Sequence, residues 1–399
     1  MGCVGRIIVT EPSMTPENIV PGDLRDILYK VQNEVRLSFD DGVRLYNHPN
    51  LTAVGYLANI VRERRHGEKT YYVRNQHINY TNICNKFCKF CSFYAKKGGP
   101  SPYEMSLEEV RQALRRHSHV PITEVHSVGG INPRLPYSYY MDFIKVIKEE
   151  RPGVHVKAFT AVEIVEIARV GKTDIESALR DLKEAGLDSL PGGGIEILSE
   201  RVHEELFGRK LNGEEWKEVS RVAAKLGFKQ YATMLYGHIE TIEERVDHLI
   251  QLRELQDETG HFLCMTPLSF HPEGTELEQI EMPTADCDLR NIALCRLMLD
   301  NFDHIKSFWI MNTVPVTQAA LWYGADDADG TVLEYEITYE EGKFGHKTQA
   351  LTPSNMIYMI KEAGREPIER DSHYHQVVRV IEEMEPSVSP RNLMPLKMA

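Results

Sequence analysis

The chain has 399 residues, enough for two or three domains of ~150 residues or for one barrel of ~250 residues with extensions. Hydrophobic residues make up 42% and charged residues 26%, which excludes a disordered chain. The net charge of -13 argues against a general nucleic-acid binder, which needs a clustered basic surface, but leaves room for an anionic substrate in a local basic pocket.

Residues from about 15 to 70 read as mainly helical. Asp23, Leu24, Ile27, Leu28 and Val31 carry a helical spacing, and a second segment runs from Leu51 to Arg65, ending near Gly67. From Lys69 onward, short β-rich runs alternate with amphipathic helices. The first run, Thr70 to Tyr80, leads into a cysteine cluster. Ser106 and Glu109 form a capping box for the next helix. The second run, Thr123 to Val128, is closed by Gly129-Gly130. The third is His155 to Phe159, with a helix expected near Thr173 and ending at Gly186. The fourth, Asp188 to Leu190, precedes Pro191 and three glycines; the helix after it ends at Gly227. The fifth is Lys229 to Leu235, followed by a helix capped by Thr241 and Glu244; the sixth is Phe262 to Phe270.

Six repeats of strand then helix imply a parallel sheet with right-handed crossovers, an α/β fold of the TIM-like βα-barrel type with six to eight strands. Lys306 to Met311 is a candidate seventh strand. The expected organisation is a helical extension over 1–69, a barrel core over 70–272, a part completing or covering the barrel over 273–381, and a mobile tail over 382–399. The uncharged run Ser307 to Ala325 is broken by Asn312, Pro315 and Gln318 and does not read as a membrane span. The N-terminus lacks a signal-peptide pattern, so a cytoplasmic protein with no membrane partner is expected.

The seven cysteines form no disulfide framework in a reducing compartment. Three of them, Cys84, Cys88 and Cys91, form C-x3-C-x2-C. Soft thiolates suit zinc or an iron–sulfur cluster. Structural zinc needs a fourth protein ligand, and none stands nearby at zinc-ribbon spacing. Three thiolates on a cubane leave one iron open for a ligand. The motif follows the first strand, at the barrel face where active sites lie. A zinc-binding structural protein is the reading from another class.

This motif, with Phe90 before its last cysteine, resembles the radical S-adenosylmethionine (SAM) superfamily. The resemblance implies a 4Fe-4S cluster on Cys84, Cys88 and Cys91, and SAM bound at the open iron. It implies contact between SAM and Gly129-Gly130, where a tight turn is the plainer reading. Glu163 is a further cofactor-binding candidate, its plainer role being a helix N-terminal acid. Gly193 and Tyr236 complete the cofactor candidates. His238 and His271 are the candidate catalytic residues. His271 with Phe270 is suited to an aromatic acid.

The likeness extends from about Tyr71 to Gly364. Gly237-His238-Ile239-Glu240-Thr241 and Gly324-Ala325-Asp326-Asp327 carry its finer part. Within the superfamily it implies addition of the 5'-deoxyadenosyl radical to 3-[(1-carboxyvinyl)oxy]benzoate. Rearrangement and loss of bicarbonate or CO2 then give 6-amino-6-deoxyfutalosine, on the futalosine route to menaquinone. The alternatives are the dehypoxanthine futalosine cyclase and the tyrosine-using deazaflavin (FO) synthase subunit. Where relatives carry a Leu-His-Pro style loop, this chain has Ile131-Asn132-Pro133.

The implied partners are a small aromatic dicarboxylate and an electron donor such as flavodoxin or ferredoxin, with a homodimer left open. His238, His271 and Arg290 are the candidates for its carboxylates. Trp309, Trp322 and Tyr323 are candidates for a lid or wall, with core packing as the plainer reading.

Overall fold

A computed structural model describes residues 16–96, 100–333, 341–342, 345–346 and 350–379. In chain order the strands are β1 (Lys69–Val73), β2 (Asn75–His77), β3 (Glu124–Ser127), β4 (His155–Ala158), β5 (Ser189–Leu190) and β6 (Lys229–Tyr236). They continue with β7 (Phe262–Ser269), β8 (His304–Ile305), β9 (Asp327–Gly330), β10 (Glu341–Gly342), β11 (Gly345–His346) and β12 (Glu366–Arg370). Strands β2 to β8 form one parallel sheet in chain order, the expected barrel with seven strands. β12, β1 and β9 form a separate parallel sheet, and β10 pairs β11.

The expected first run is therefore two strands. Arg74 alone separates β1, which joins the small sheet, from β2, which opens the barrel. The expected seventh strand is displaced to His304–Ile305. Ser307 N–H donates to Asp327 O (2.9 Å), and the chain then turns into the short helix Trp309–Asn312.

The segment from Asp326 to Leu333 closes the barrel as an eighth stave. On one side Asp326 N–H donates to Ile305 O (3.0 Å). On the other, Leu333 N–H donates to Asn75 O (3.2 Å) and His77 N–H to Leu333 O (2.8 Å). Buried Asp326 accepts from Arg296, from His304 (2.6 Å) and from Ile305 N–H (2.8 Å), which anchors the stave. Strand β8 and the stave at 326–333 both lie beyond residue 272, and residue 70 lies inside β1. The tail over 382–399 lies outside the described residues.

Local chemistry sets the outer helices. Capping boxes at Ser106/Glu109, Asn212/Glu215 and Thr241/Glu244 satisfy orphan N–H groups. The helix expected from Thr173 is Ile175–Ala185, capped by Asp174. Before it lies an unexpected helix, Ala161–Gly171, whose capping box is Thr160/Glu163. The N-terminal helix Leu51–His66 packs against Ala285–Met298. Leu57, Ile292 and Leu294 are among their core residues. Among the described residues, no helix is long and apolar enough to cross a membrane.

Candidate active site

One cavity of about 360 Å³ opens inside the barrel toward the C-terminal ends of the strands. Its outer end is built by loops. The cysteine loop after β2 is tied to the loop after β3: Gly130 N–H donates to Thr81 O (2.8 Å) and Asn85 N–H to Ile131 O (3.1 Å). Cys91 N–H donates to Cys88 O (3.1 Å), and Phe90 packs edge-on to Phe207. All three cysteines are free thiols and line the cavity. Burial pushes the Cys88 thiol up to about 12 and raises Cys91. Metal binding would release those protons.

Two glycine segments form the wall beside the thiols. A Cβ on Gly130 would collide with Ile83 O, and one on Gly129 would lie 2.6 Å from the Tyr80 ring. A Cβ on Gly192 would meet Ala232 backbone at 2.7 Å, and Gly194 has φ 102°. Glycine therefore lets these loops pack directly on Tyr80, Ile83 and Ala232, where a side chain would collide, while their backbone lines the cavity. Three soft donors beside glycine-built walls fit an iron–sulfur cluster with an adjoining cofactor.

Glu163 lies at the cavity wall, with both oxygens engaged by the protein. Oε1 accepts from Tyr80 hydroxyl (2.7 Å) and Gly129 N–H (3.0 Å). Oε2 accepts from Thr160 N–H (2.7 Å) and Thr160 hydroxyl (2.8 Å). Burial pushes its pKa up to about 7 against these hydrogen bonds. Glu163 thus couples the Gly-Gly loop to the start of a helix.

His271 also lines the cavity, its Nε2 3.0 Å from Met311 O, as do Gly129, Gly130 and Gly193. His238 and Tyr236 do not. On β6 the inward parity belongs to Tyr231, Thr233 and Leu235. Tyr236 faces outward, where its hydroxyl donates to Asp288 (2.7 Å) and accepts from Asn312 (3.0 Å). After the turn at Gly237 (φ 92°), His238 folds back onto Leu235 O (3.1 Å) and Glu240 (2.9 Å), with no side-chain exposure.

The other carboxylate and lid candidates also change. Arg290 donates to Leu45 O and His48 O, outside the cavity. Trp309 is buried and donates to Gly330 O (2.8 Å); Trp322 is exposed beneath Arg365. The Tyr323 ring packs where a Cβ on Gly55 would stand. Phe308 and Met311 line the cavity instead. Asn132 is buried and donates to Glu104.

Sequence reasoning missed the cavity's charged inner end. Register places His77, His126 and Lys157 side by side across β2, β3 and β4. The two imidazoles stack at 4.6 Å. Burial drives His77 down to about 4 and holds His126 well below the usual histidine range. Lys157 pairs with Glu124 at 2.7 Å, and Lys306 with Asp329 at 2.5 Å. Burial opposes the Lys306 ammonium, but Asp329 and Asp327 outweigh it and raise its pKa; burial wins at Lys157, which is lowered. At the outer end Lys210 pairs with Glu196 at 2.6 Å. The available signal was a lysine between Val156 and Ala158 within the short β-run His155 to Phe159, where a buried charge is found only when paired.

A family model described as the radical SAM superfamily matches residues 78–252, and one described as the CofH/MqnC C-terminal region matches 259–383. Aminodeoxyfutalosine synthase of Thermus thermophilus is 43% identical over 88% of this chain and 95% of its own length. That of Streptomyces coelicolor is 37% identical over 91% and 96%. The cyclic dehypoxanthine futalosine synthase of Halalkalibacterium halodurans is 34% identical over 90% and 96%. The crystal structure of methylornithine synthase shares the fold, with a TM-score of 0.69 at 17% identity over 86% of this chain and 97% of that one.

Proposed function

The chain belongs to the radical SAM superfamily, and on that footing we propose that it carries out the aminodeoxyfutalosine synthase reaction. SAM, 3-[(1-carboxyvinyl)oxy]benzoate and water become 6-amino-6-deoxyfutalosine, methionine and bicarbonate (the vinyl carboxylate), in futalosine-pathway menaquinone synthesis. The observation that carries this reading is near-full-length likeness to two synthases of that activity, above the likeness to the cyclase.

Cys84, Cys88 and Cys91 would hold the 4Fe-4S cluster, which supplies the electron that cleaves SAM to methionine and the 5'-deoxyadenosyl radical. Gly129 and Gly130 offer a close backbone edge to SAM. Glu163 is a positioning residue for that edge through its bond to Gly129 N–H. Gly192 to Gly194 line the cavity beside it, packed on Ala232, Thr160 and Val162. Leu235, Leu268, Phe270 and Met311 give the cavity apolar wall, which keeps water and stray hydrogen donors from a radical. His271 stands at the same wall as a contact for the aromatic substrate. For the one-electron donor a flavodoxin or ferredoxin is proposed.

The test is anaerobic reconstitution with iron, sulfide, SAM and dithionite, followed by mass spectrometry. The expected product from the enolpyruvyl benzoate is its adenosylated, decarboxylated ketone. Free 5'-deoxyadenosine with a spirocyclic product from dehypoxanthine futalosine would replace this reading with the cyclase.

A further inference from the structure

The inner end of the cavity holds two lysines that the cluster and SAM do not account for. Lys157 comes from β4, and Lys306 from the residue after β8. Both are nearly fully buried and both line the cavity. Each is fixed from one side by a carboxylate, Glu124 at 2.7 Å and Asp329 at 2.5 Å. Both lie over the ring of Tyr231, at 4.4 and 5.8 Å. An ammonium has three N–H donors, and one pairing leaves others for a ligand. Tyr231 is itself held, its hydroxyl donating to Ser372 O (2.6 Å).

The reaction fixes the direction of the substrate. The vinyl CH2 that receives the adenosyl carbon must lie toward the cysteine end. The vinyl carboxylate is on the adjacent carbon, so it stays near that end. The benzoate carboxylate, across the ring, reaches furthest inward. We propose that Lys157 and Lys306 together seat the benzoate carboxylate of the substrate, with Tyr231 forming the floor under its ring. This rests on the function proposed above.

Glu124 and Asp329 hold the ammonium groups in place before the ligand arrives, so little ordering is left to binding. The benzoate carboxylate takes no part in the bond changes, which occur at the ring's ether position and the vinyl group, and it persists in the product. The seat therefore grips substrate, transition state and product alike, and acts on binding more than on the chemical step. It also excludes aromatic enol ethers that lack the group, because they leave buried donors unpaired.

The test measures dissociation constants on the reconstituted holoenzyme with SAM and no reductant, so nothing turns over. The ligands are the enolpyruvyl benzoate and its analogue lacking the benzoate carboxylate. The wild type should prefer the full substrate by at least about 100-fold. Lys306→Met with Asp329→Asn removes one arm of the seat without stranding a charge, and Lys157→Met with Glu124→Gln removes the other. Each pair should cut the preference at least tenfold.

A wild type that binds both ligands equally overturns the seat, whatever the variants do. So does a folded, cluster-loaded paired variant that keeps the full preference. The reductive assay keeps the two proposals apart: a wild type that binds with the expected preference yet forms no adenosylated product refutes the function and leaves the seat standing.

Discussion

The two ends of the cavity are built from opposite materials. The outer end is loops, thiols and glycine backbone, with Gly130 closed against Ile83 O and Gly129 held by Glu163. The inner end is side chains on strands, in ion pairs locked by barrel register. Backbone and sulfur suit a ligand handled by its invariant parts. Buried ion pairs suit selection of one substrate, since they bring geometric specificity and add little net stability. Damage to the outer end should therefore stop the chemistry, and damage to the inner end should change what is bound.

The largest effect should come from Cys88→Ala. Iron content after reconstitution should fall and turnover should drop to background, while circular dichroism and Tm stay close to wild type. A large loss of Tm would mean that the thiol is structural and would blur the division between the ends.

Gly130→Ala places a methyl against backbone that has nowhere to go. Overpacking of this kind costs about 1–3 kcal/mol. SAM affinity, read by calorimetry, should fall at least tenfold, with binding of the aromatic substrate much less affected. Equal losses for both ligands would erase the contrast.

Glu163→Gln tests the link within the outer end. The Glu163 pKa of about 7 lies above its ordinary value of 4.5, so its contribution to stability is complete below 4.5 and lost as pH rises through 7. Glutamine does not titrate. The wild type should lose about 1–3 kcal/mol relative to the variant between about pH 5 and pH 8, measured by urea unfolding. A difference that stays constant with pH would show that Glu163 takes up no proton there.

The smallest effect on turnover belongs to His238→Gln. This side chain has no face on the cavity. It should cost about 1–2 kcal/mol of stability through its lost hydrogen bonds. kcat should remain within a few-fold of wild type; a collapse at unchanged Tm would return His238 to the chemistry.

Much of this was legible in the sequence because local rules carry it. The six β-runs, the caps at Ser106 and Thr241, and the C-x3-C-x2-C loop are written in contiguous residues. The failures are long-range. Thr70 to Tyr80 reads as one strand, yet Arg74 divides it between two sheets, because β1 pairs β12 from the far end of the chain. Tyr236 and Leu235 are adjacent, and only strand parity decides which meets the cavity. Thr160 and Glu163, by contrast, carry a capping box readable in the sequence, in line with the plainer reading of Glu163 as a helix N-terminal acid. Lys306 and Asp329 find each other only after the barrel closes, so no local pattern announces their pairing.

That closure also sets an order in time. Synthesis releases Cys84 to Cys91, Gly129-Gly130 and Glu163 long before the stave at 326–333, and the small sheet waits for β12. Pairing β1 with β12 joins segments from nearly opposite ends of the chain, the kind of contact that forms slowly. The nascent barrel therefore has a cysteine loop while its last seam is still open. The seam at 326–333 is thus the last part of the barrel wall to leave the ribosome, and it is also the wall that carries Asp329 to Lys306.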